Sequence, residues 1–179
     1  MWSEKWNRIF EALNDKIIPC SQLTKHTDIT YRMVNDWDLR GMFDAERQTM
    51  RGWRKFSIVD VIKLSIIKKL KGAGFPLYKL KDILNWLGCN PAIEFSIKQL
   101  TENINCSLYT DFEDEYGIYS DEELLNFLKV RKEKELLSII FPVNHLIKNI
   151  LISIKSTSLE VKIVSEQYMF KVNGKWITP

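Results

Sequence analysis

Apolar residues recur at helical spacing along most of the first half of the chain. The pattern begins with residues 2–17, a segment that Pro19 then terminates. Two shorter segments follow, with Ser21 and Thr30 in positions suited to N-caps and Gly41 in a position suited to a helix C-terminus. Two short helices joined by a few residues predict a helix-turn-helix.

A second pair of amphipathic helices is predicted between residues 57 and 87. Ser57 is a suitable N-cap for the first of them, and the glycines and proline of residues 72–76 separate it from the second. Gly88 and Pro91 end the pattern, and no heptad repeat continues beyond them.

The second half of the chain contains three further helical patterns. They cover residues 92–103, the segment after Ser120 and the segment after Pro142. The helix after Ser120 is the strongest of these predictions, because a serine cap precedes three acidic residues in its first turn. The run "ELLSIIF" at residues 135–141 fits either a buried strand or the start of a helix.

Strands are predicted in the same half of the chain. Residues 106–112 read as a strand, and the acidic residues 113–119 are expected to form a loop. Two runs of alternating polarity flank Asn173 and Gly174, a pair typical of a tight β-hairpin turn. The pattern therefore predicts a mainly α chain with a smaller α+β part, whose second domain is α/β or α+β and ends in a β-hairpin.

Composition and charge add a functional expectation. The apolar content of 45% indicates a folded protein, and three unevenly spaced cysteines favour a reducing cytoplasm over a disulfide framework. No run reaches the roughly 18 apolar residues of a membrane span, so no membrane partner is expected. Residues 1–88 carry a net charge of +6 and residues 89–179 a net charge of −3, which indicates that the first half faces a polyanion.

Metal and catalytic chemistry have little support in the sequence. The potential metal ligands are never spaced as in a zinc site: Cys20, Cys89, Cys106, His26 and His145. No metal or cofactor is therefore expected. An enzyme acting on DNA with Mg²⁺ remains an alternative, with its site built from Asp111, Asp114, Glu160 and Lys162. An acidic loop and an ordinary strand explain the same residues more simply.

Nucleic-acid binding accounts for more of the first half. A recognition helix that begins at Thr30, Tyr31 and Arg32 would present polar side chains to base edges in the major groove. Arginine pairs with guanine and asparagine with adenine, so Arg32 and Asn35 are candidates for base readout. The stretch "RQTMRGWRKF" would lie beside this helix as a wing that holds phosphates through its four cations, Arg47, Arg51, Arg54 and Lys55.

An ordered set of motifs strengthens this interpretation. The chain contains "SQLTKHTDIT", "YRMVNDWD", "RGMF", "RGWRKF", "VDVIKL" and "AGFPLYKL" in that order. Residues 20–87 thereby resemble the DNA-binding domain of MerR-type transcriptional regulators, and the C-terminal half shows no such resemblance. The resemblance implies a winged helix-turn-helix in which Arg32 opens the recognition helix, Trp37 lies where an aromatic contacts the DNA backbone, and Arg54 contacts a phosphate.

Three positions depart from the family pattern. Asp28 replaces the usual turn glycine and is expected to adopt a left-handed conformation. Asn35 and Asp36 stand where the family usually has arginine and tyrosine. The break at residues 88–91 replaces the long dimerisation helix of the family.

We therefore predict an extra helix over residues 1–17, a MerR-like winged helix-turn-helix domain over 18–88, and a sensing, partner-binding or oligomerisation domain over 89–179. The predicted function is sequence-specific binding of double-stranded DNA by a bacterial-type transcriptional regulator in the cytoplasm, at the nucleoid. RNA polymerase at a promoter, a second copy of the chain and a small-molecule or protein effector are open candidates as further partners. The alternative is a DNA-architectural or recombination accessory protein, either excisionase-like or chromosome-organising.

Overall fold

The computed structural model describes residues 2–43, 54–89, 91–111, 115–131, 138–154 and 159–179. Eight α-helices occur in these ranges: α1 (Glu4–Asn14), α2 (Cys20–His26), α3 (Tyr31–Leu39), α4 (Ile58–Gly72), α5 (Leu77–Cys89), α6 (Ala92–Thr101), α7 (Asp121–Val130) and α8 (Val143–Ser153). The mainly α class with a smaller α+β part is confirmed.

The described strands form three antiparallel sheets. The strands are β1 (Ile18–Pro19), β2 (Lys55–Phe56), β3 (Cys106–Asp111), β4 (Tyr116–Ser120), β5 (Ser138–Pro142), β6 (Leu159–Val164), β7 (Gln167–Val172) and β8 (Lys175–Ile177). β1 pairs with β2, the second sheet has the order β4-β3-β5, and the third has the order β6-β7-β8. The predicted hairpin at Asn173 and Gly174 is confirmed, because both residues have positive φ and join β7 to β8.

The helix-turn-helix consists of α2 and α3. The Thr30 side chain accepts a hydrogen bond from the Met33 amide, which confirms the predicted cap of α3. Gly41 has φ +62° after the end of α3, and the next amide, that of Met42, donates to the Trp37 carbonyl at 3.0 Å. This Schellman arrangement explains why a glycine is needed at that position.

Two details of this motif differ from the sequence expectation. α2 begins at Cys20 after Pro19, so Ser21 lies inside the helix and is not its N-cap. Asp28 is absent from the described non-glycine residues with positive φ, so the turn does not use a left-handed aspartate. Instead, Lys68 from α4 donates to the Asp28 carbonyl at 2.6 Å and pairs with its carboxylate at 3.2 Å.

The long helix α4 lies at the centre of the hydrophobic core. A capping box between Ser57 and Asp60 begins it, as the sequence predicted for Ser57. Most of its side chains are buried, and it packs against helices from both halves of the chain, including α1, α5 and α8. One continuous cluster of buried residues joins the two halves. The division of the chain into domains at residue 88 stays a prediction.

The elements of the second half of the chain follow the predictions with one exception. Tyr116–Ser120 is strand β4, paired with β3, where the sequence predicted a loop over residues 113–119. Residues 138–142 form strand β5, which settles the described part of "ELLSIIF" as a strand. The predicted cap Ser120 precedes α7, α8 follows Pro142 as predicted, and the break after Cys89 separates α5 from α6.

Candidate nucleic-acid interface

The exposed face of α3 carries the residues that could read DNA. Arg32, Asn35 and Leu39 follow one another at spacings of three and four, so they share one side of the helix. Arg32 is exposed and has no hydrogen-bond or ion-pair partner among the described residues. Thr30 and Tyr31 are exposed at the N-terminus of the helix, where the helix dipole favours an anion. Within the described ranges, this end of α3 is thus open to a negatively charged partner.

Trp37 does not share this accessible face. Its relative exposure is 0%, and its indole packs in the core, with the Lys71 ammonium 5.8 Å from the ring centroid. The prediction that Trp37 contacts the DNA backbone is therefore wrong for this structure, because the side chain stabilises the packing of α3 and cannot reach a ligand.

Arg54 makes an unpredicted connection between the base of the wing and α3. Its Nη2 lies 2.6 Å and its Nε 3.1 Å from the same carboxylate oxygen of Asp38, and its Nη1 donates to Asn35 Oδ1 at 2.6 Å. The side chains of Arg54 and Asp38 are only 12% and 15% exposed. In this structure an internal carboxylate compensates the charge of Arg54, and the predicted contact of Arg54 with a phosphate stays a prediction.

The other predicted wing cations divide into two groups. Arg47 and Arg51 lie outside the described residues. Lys55 lies in β2 opposite Pro19 of β1, and its ammonium has no ion-pair partner among the described residues. Of the four predicted wing cations, Lys55 is thus the one that the described part of the chain leaves available for a phosphate.

Three lysines that the sequence analysis did not select lie along α3. Lys68 pairs with Asp28 just before α3, and Lys71 lies over Trp37 in the middle of that helix. At the C-terminal end of α3, the Lys81 ammonium lies 3.8 Å from the point where a β-carbon on Gly41 would be. Lys68 and Lys71 are three residues apart on α4, a helical spacing that could have identified them as one face. The basic surface therefore extends from α3 onto α4 and α5.

The acidic residues around α3 do not cancel this positive surface. Asp28, Asp36 and Asp38 each pair with a basic side chain, at 3.2, 2.9 and 2.6 Å respectively. Arg32 keeps an uncompensated charge among the described residues. Counting the described residues, the local electrostatics thus leave a net positive surface around the N-terminus of α3.

A pocket of about 290 Å³ lies beside this surface, between β2 and the helices α4 and α5. Its walls are mainly apolar, and the side chains of Lys55 and Lys63 provide positive charge among the lining residues. Phe43 and Phe56 contact each other edge to face along its wall, with ring centroids 5.9 Å apart. The pocket thus touches β2 and the residues that directly follow α3.

Three of the four residues proposed for a metal-dependent enzyme have other side-chain partners in the structure. Asp111 is buried and pairs with Arg131 at 2.8 Å. Glu160 pairs with Lys171 at 3.7 Å, and Lys162 lies over the Trp176 ring at 4.0 Å. Asp111 belongs to the sheet β4-β3-β5 and the other two to the sheet β6-β7-β8, while Asp114 lies outside the described residues. The described residues contain no group of three or more potential metal ligands.

None of the three cysteines forms a disulfide within the described part of the chain. Cys20 and Cys106 are buried and Cys89 is exposed, all as free thiols. Burial raises the pKa of Cys106 to about 11, and the carboxylates of Glu123 and Asp121 act in the same direction. Within the described ranges, no helix has the length and apolar character needed to cross a bilayer.

Comparison with known proteins identifies the domain that carries this surface. Residues 18–86 match the family model described as MerR HTH family regulatory protein. A comparison with curated proteins finds no match. The matched range runs from β1 through most of α5 and includes the exposed face of α3 and its flanking lysines. Residues 18–86 are therefore similar to the helix-turn-helix domain of MerR-family regulatory proteins.

Proposed function

We propose that this protein binds double-stranded DNA sequence-specifically and regulates transcription, with α3 as the recognition helix. The observation that carries the proposal is the exposed, uncompensated Arg32 at the N-terminus of α3 in a MerR-type domain. A guanidinium in that position has the donor geometry to bind guanine O6 and N7 in the major groove.

The surrounding residues fall into contact and support roles. Thr30 and Tyr31 lie at the end of α3 that would enter the groove, and Lys55, Lys71 and Lys81 surround the helix with positive charge suited to phosphates. Arg47 and Arg51 remain proposed phosphate contacts on the basis of sequence. Trp37 and Arg54 support the helix from within. Affinity for any duplex should come from the lysines, and discrimination between sequences should come from α3.

The second half of the chain is proposed to carry regulation or assembly. It carries a net charge of −3, opposite in sign to the first half, and α7 exposes Leu125 and Val130 to solvent. A continuation of α5 into a long dimerisation helix is interrupted between Cys89 and Ala92. A homodimer would therefore need another contact surface. RNA polymerase and an effector remain proposed partners, and the cytoplasm with its nucleoid remains the proposed location.

A binding selection from randomised duplexes tests the function. The full chain should enrich one motif, and Arg32→Ala should lose preference at one position of that motif by about 1–3 kcal/mol. Lys25→Ala is a matched control, because Lys25 is an exposed cation on α2 outside the recognition helix. Weak enrichment dependent on DNA bending would instead support the architectural role, and absence of binding to any duplex would contradict both.

A further inference from the structure

The hydrogen bond between Arg54 and Asn35 determines which end of the Asn35 amide, the oxygen or the nitrogen, is left to bind DNA. A guanidinium has only donors, so the atom 2.6 Å from Arg54 Nη1 must be the Asn35 oxygen, Oδ1. The orientation of the amide follows from this chemistry alone.

Asp38 holds Arg54 in the position that this bond requires. It accepts from both Nε and Nη2, so the guanidinium is fixed at three of its nitrogen atoms by two residues of α3. Since Arg54 and Asp38 are mostly buried, water competes weakly for these bonds. Asn35 is therefore held more rigidly than an asparagine on an exposed helix face usually is.

This arrangement changes the bases that Asn35 can recognise. Adenine recognition by asparagine needs Oδ1 and Nδ2 side by side, with Oδ1 accepting from adenine N6 and Nδ2 donating to N7. A short, charge-assisted bond already occupies one of the two lone pairs of Oδ1 and turns that oxygen toward Arg54. The Nδ2 group diverges from the same carbon and keeps its donor hydrogens. Among the bases, guanine offers two adjacent acceptors, N7 and O6, on its major-groove edge.

We propose that Arg54, held by Asp38, fixes the Asn35 amide with its donor group outward, so that Asn35 selects guanine and not adenine. Arg54 and Asp38 are positioning residues in this scheme, and Asn35 is the residue that determines specificity. The inference rests on the proposed function, since it concerns the base read by a recognition helix.

The test compares binding selections for three forms of the full chain. Asn35→Ala identifies the base pair whose preference depends on Asn35. In the wild type that position should be guanine, preferred at least about fivefold over adenine. Replacing that guanine with 7-deazaguanine, which lacks the N7 acceptor, should weaken the wild type by a similar factor and leave Asn35→Ala unchanged.

The double variant Asp38→Leu/Arg54→Met tests the positioning role. It removes both charges together and leaves no buried unpaired ion, and circular dichroism checks that it folds. Its Asn35 amide is released, so the preference at the same position should shift toward adenine or disappear. A wild-type preference for adenine, no position that depends on Asn35, or an unchanged guanine preference in the double variant would each overturn the inference. Absence of any enriched motif in the wild type would overturn the proposed function itself.

Discussion

The ion pair between Asp38 and Arg54 gives the most specific stability prediction. Asp38→Ala leaves the Arg54 guanidinium, only 12% exposed, with the Asn35 oxygen in place of a carboxylate. Removing one partner of a buried pair costs about 3–5 kcal/mol. We expect about 3 kcal/mol, the lower end of that range, because both side chains keep some contact with water and Arg54 keeps its bond to Asn35.

Asp36→Ala is the matched control on the same helix. Asp36 pairs with Arg40 at 2.9 Å, almost the same separation, but the two side chains are 42% and 55% exposed. An exposed pair four residues apart on a helix contributes about 0.3–0.5 kcal/mol. The two variants thus remove the same charge from neighbouring positions and differ mainly in burial.

Urea denaturation followed by tryptophan fluorescence and circular dichroism measures both losses. The free energy of unfolding should fall about six to ten times more for Asp38→Ala than for Asp36→Ala. The double variant Asp38→Leu/Arg54→Met should lie within about 1 kcal/mol of the wild type, since apolar residues of similar size replace the pair. Equal losses for the two alanine variants would refute the view that the wing base is tied to α3 by a buried ion pair.

Two further predictions follow from buried side chains. Trp37→Ala should lower the free energy of unfolding by about 3–5 kcal/mol in urea titrations, whereas Trp37→Phe should lower it clearly less. Small and equal losses for the two variants would show that Trp37 is not a core residue. Burial raises the pKa of Cys106 to about 11, so the native thiol keeps a proton that the unfolded chain releases above its ordinary value of about 8.5. Stability should therefore fall as the pH rises from about 8.5 to 11, and a slope unchanged in Cys106→Ala would contradict this assignment.

Local signals made most of the fold predictable. Thr30, Ser57 and Ser120 were recognisable as caps because a side-chain oxygen next to an amphipathic run satisfies the first amides of a helix. The hairpin at residues 173–174 was equally local, since its turn requires two residues with positive φ.

Strand β4 was missed because its identity depends on a partner. Tyr116–Ser120 continues directly from an acidic segment, so its sequence was read as part of an acidic loop. Pairing with β3 supplies the hydrogen bonds that make it a strand. Such long-range pairing leaves little trace in a short stretch of sequence.

The functional surface was predictable in outline and less so in detail. The ordered motifs located the domain, and Arg32 lies exposed where the resemblance placed it. The roles of Trp37 and Arg54 depended on burial and on a carboxylate 16 residues away from Arg54 in sequence, neither of which a motif encodes. The lysines on α4 and α5 reach α3 only through the packing of the folded domain.

The ratio of the dissociation constants for two duplexes tests most directly whether α3 recognises a DNA sequence. The full chain should bind its selected duplex and a scrambled duplex at ~0.15 M salt with affinities that differ by at least about a thousandfold. Arg32→Ala should reduce this ratio mainly by weakening the selected complex. A wild-type ratio close to one would contradict recognition of DNA sequence by α3.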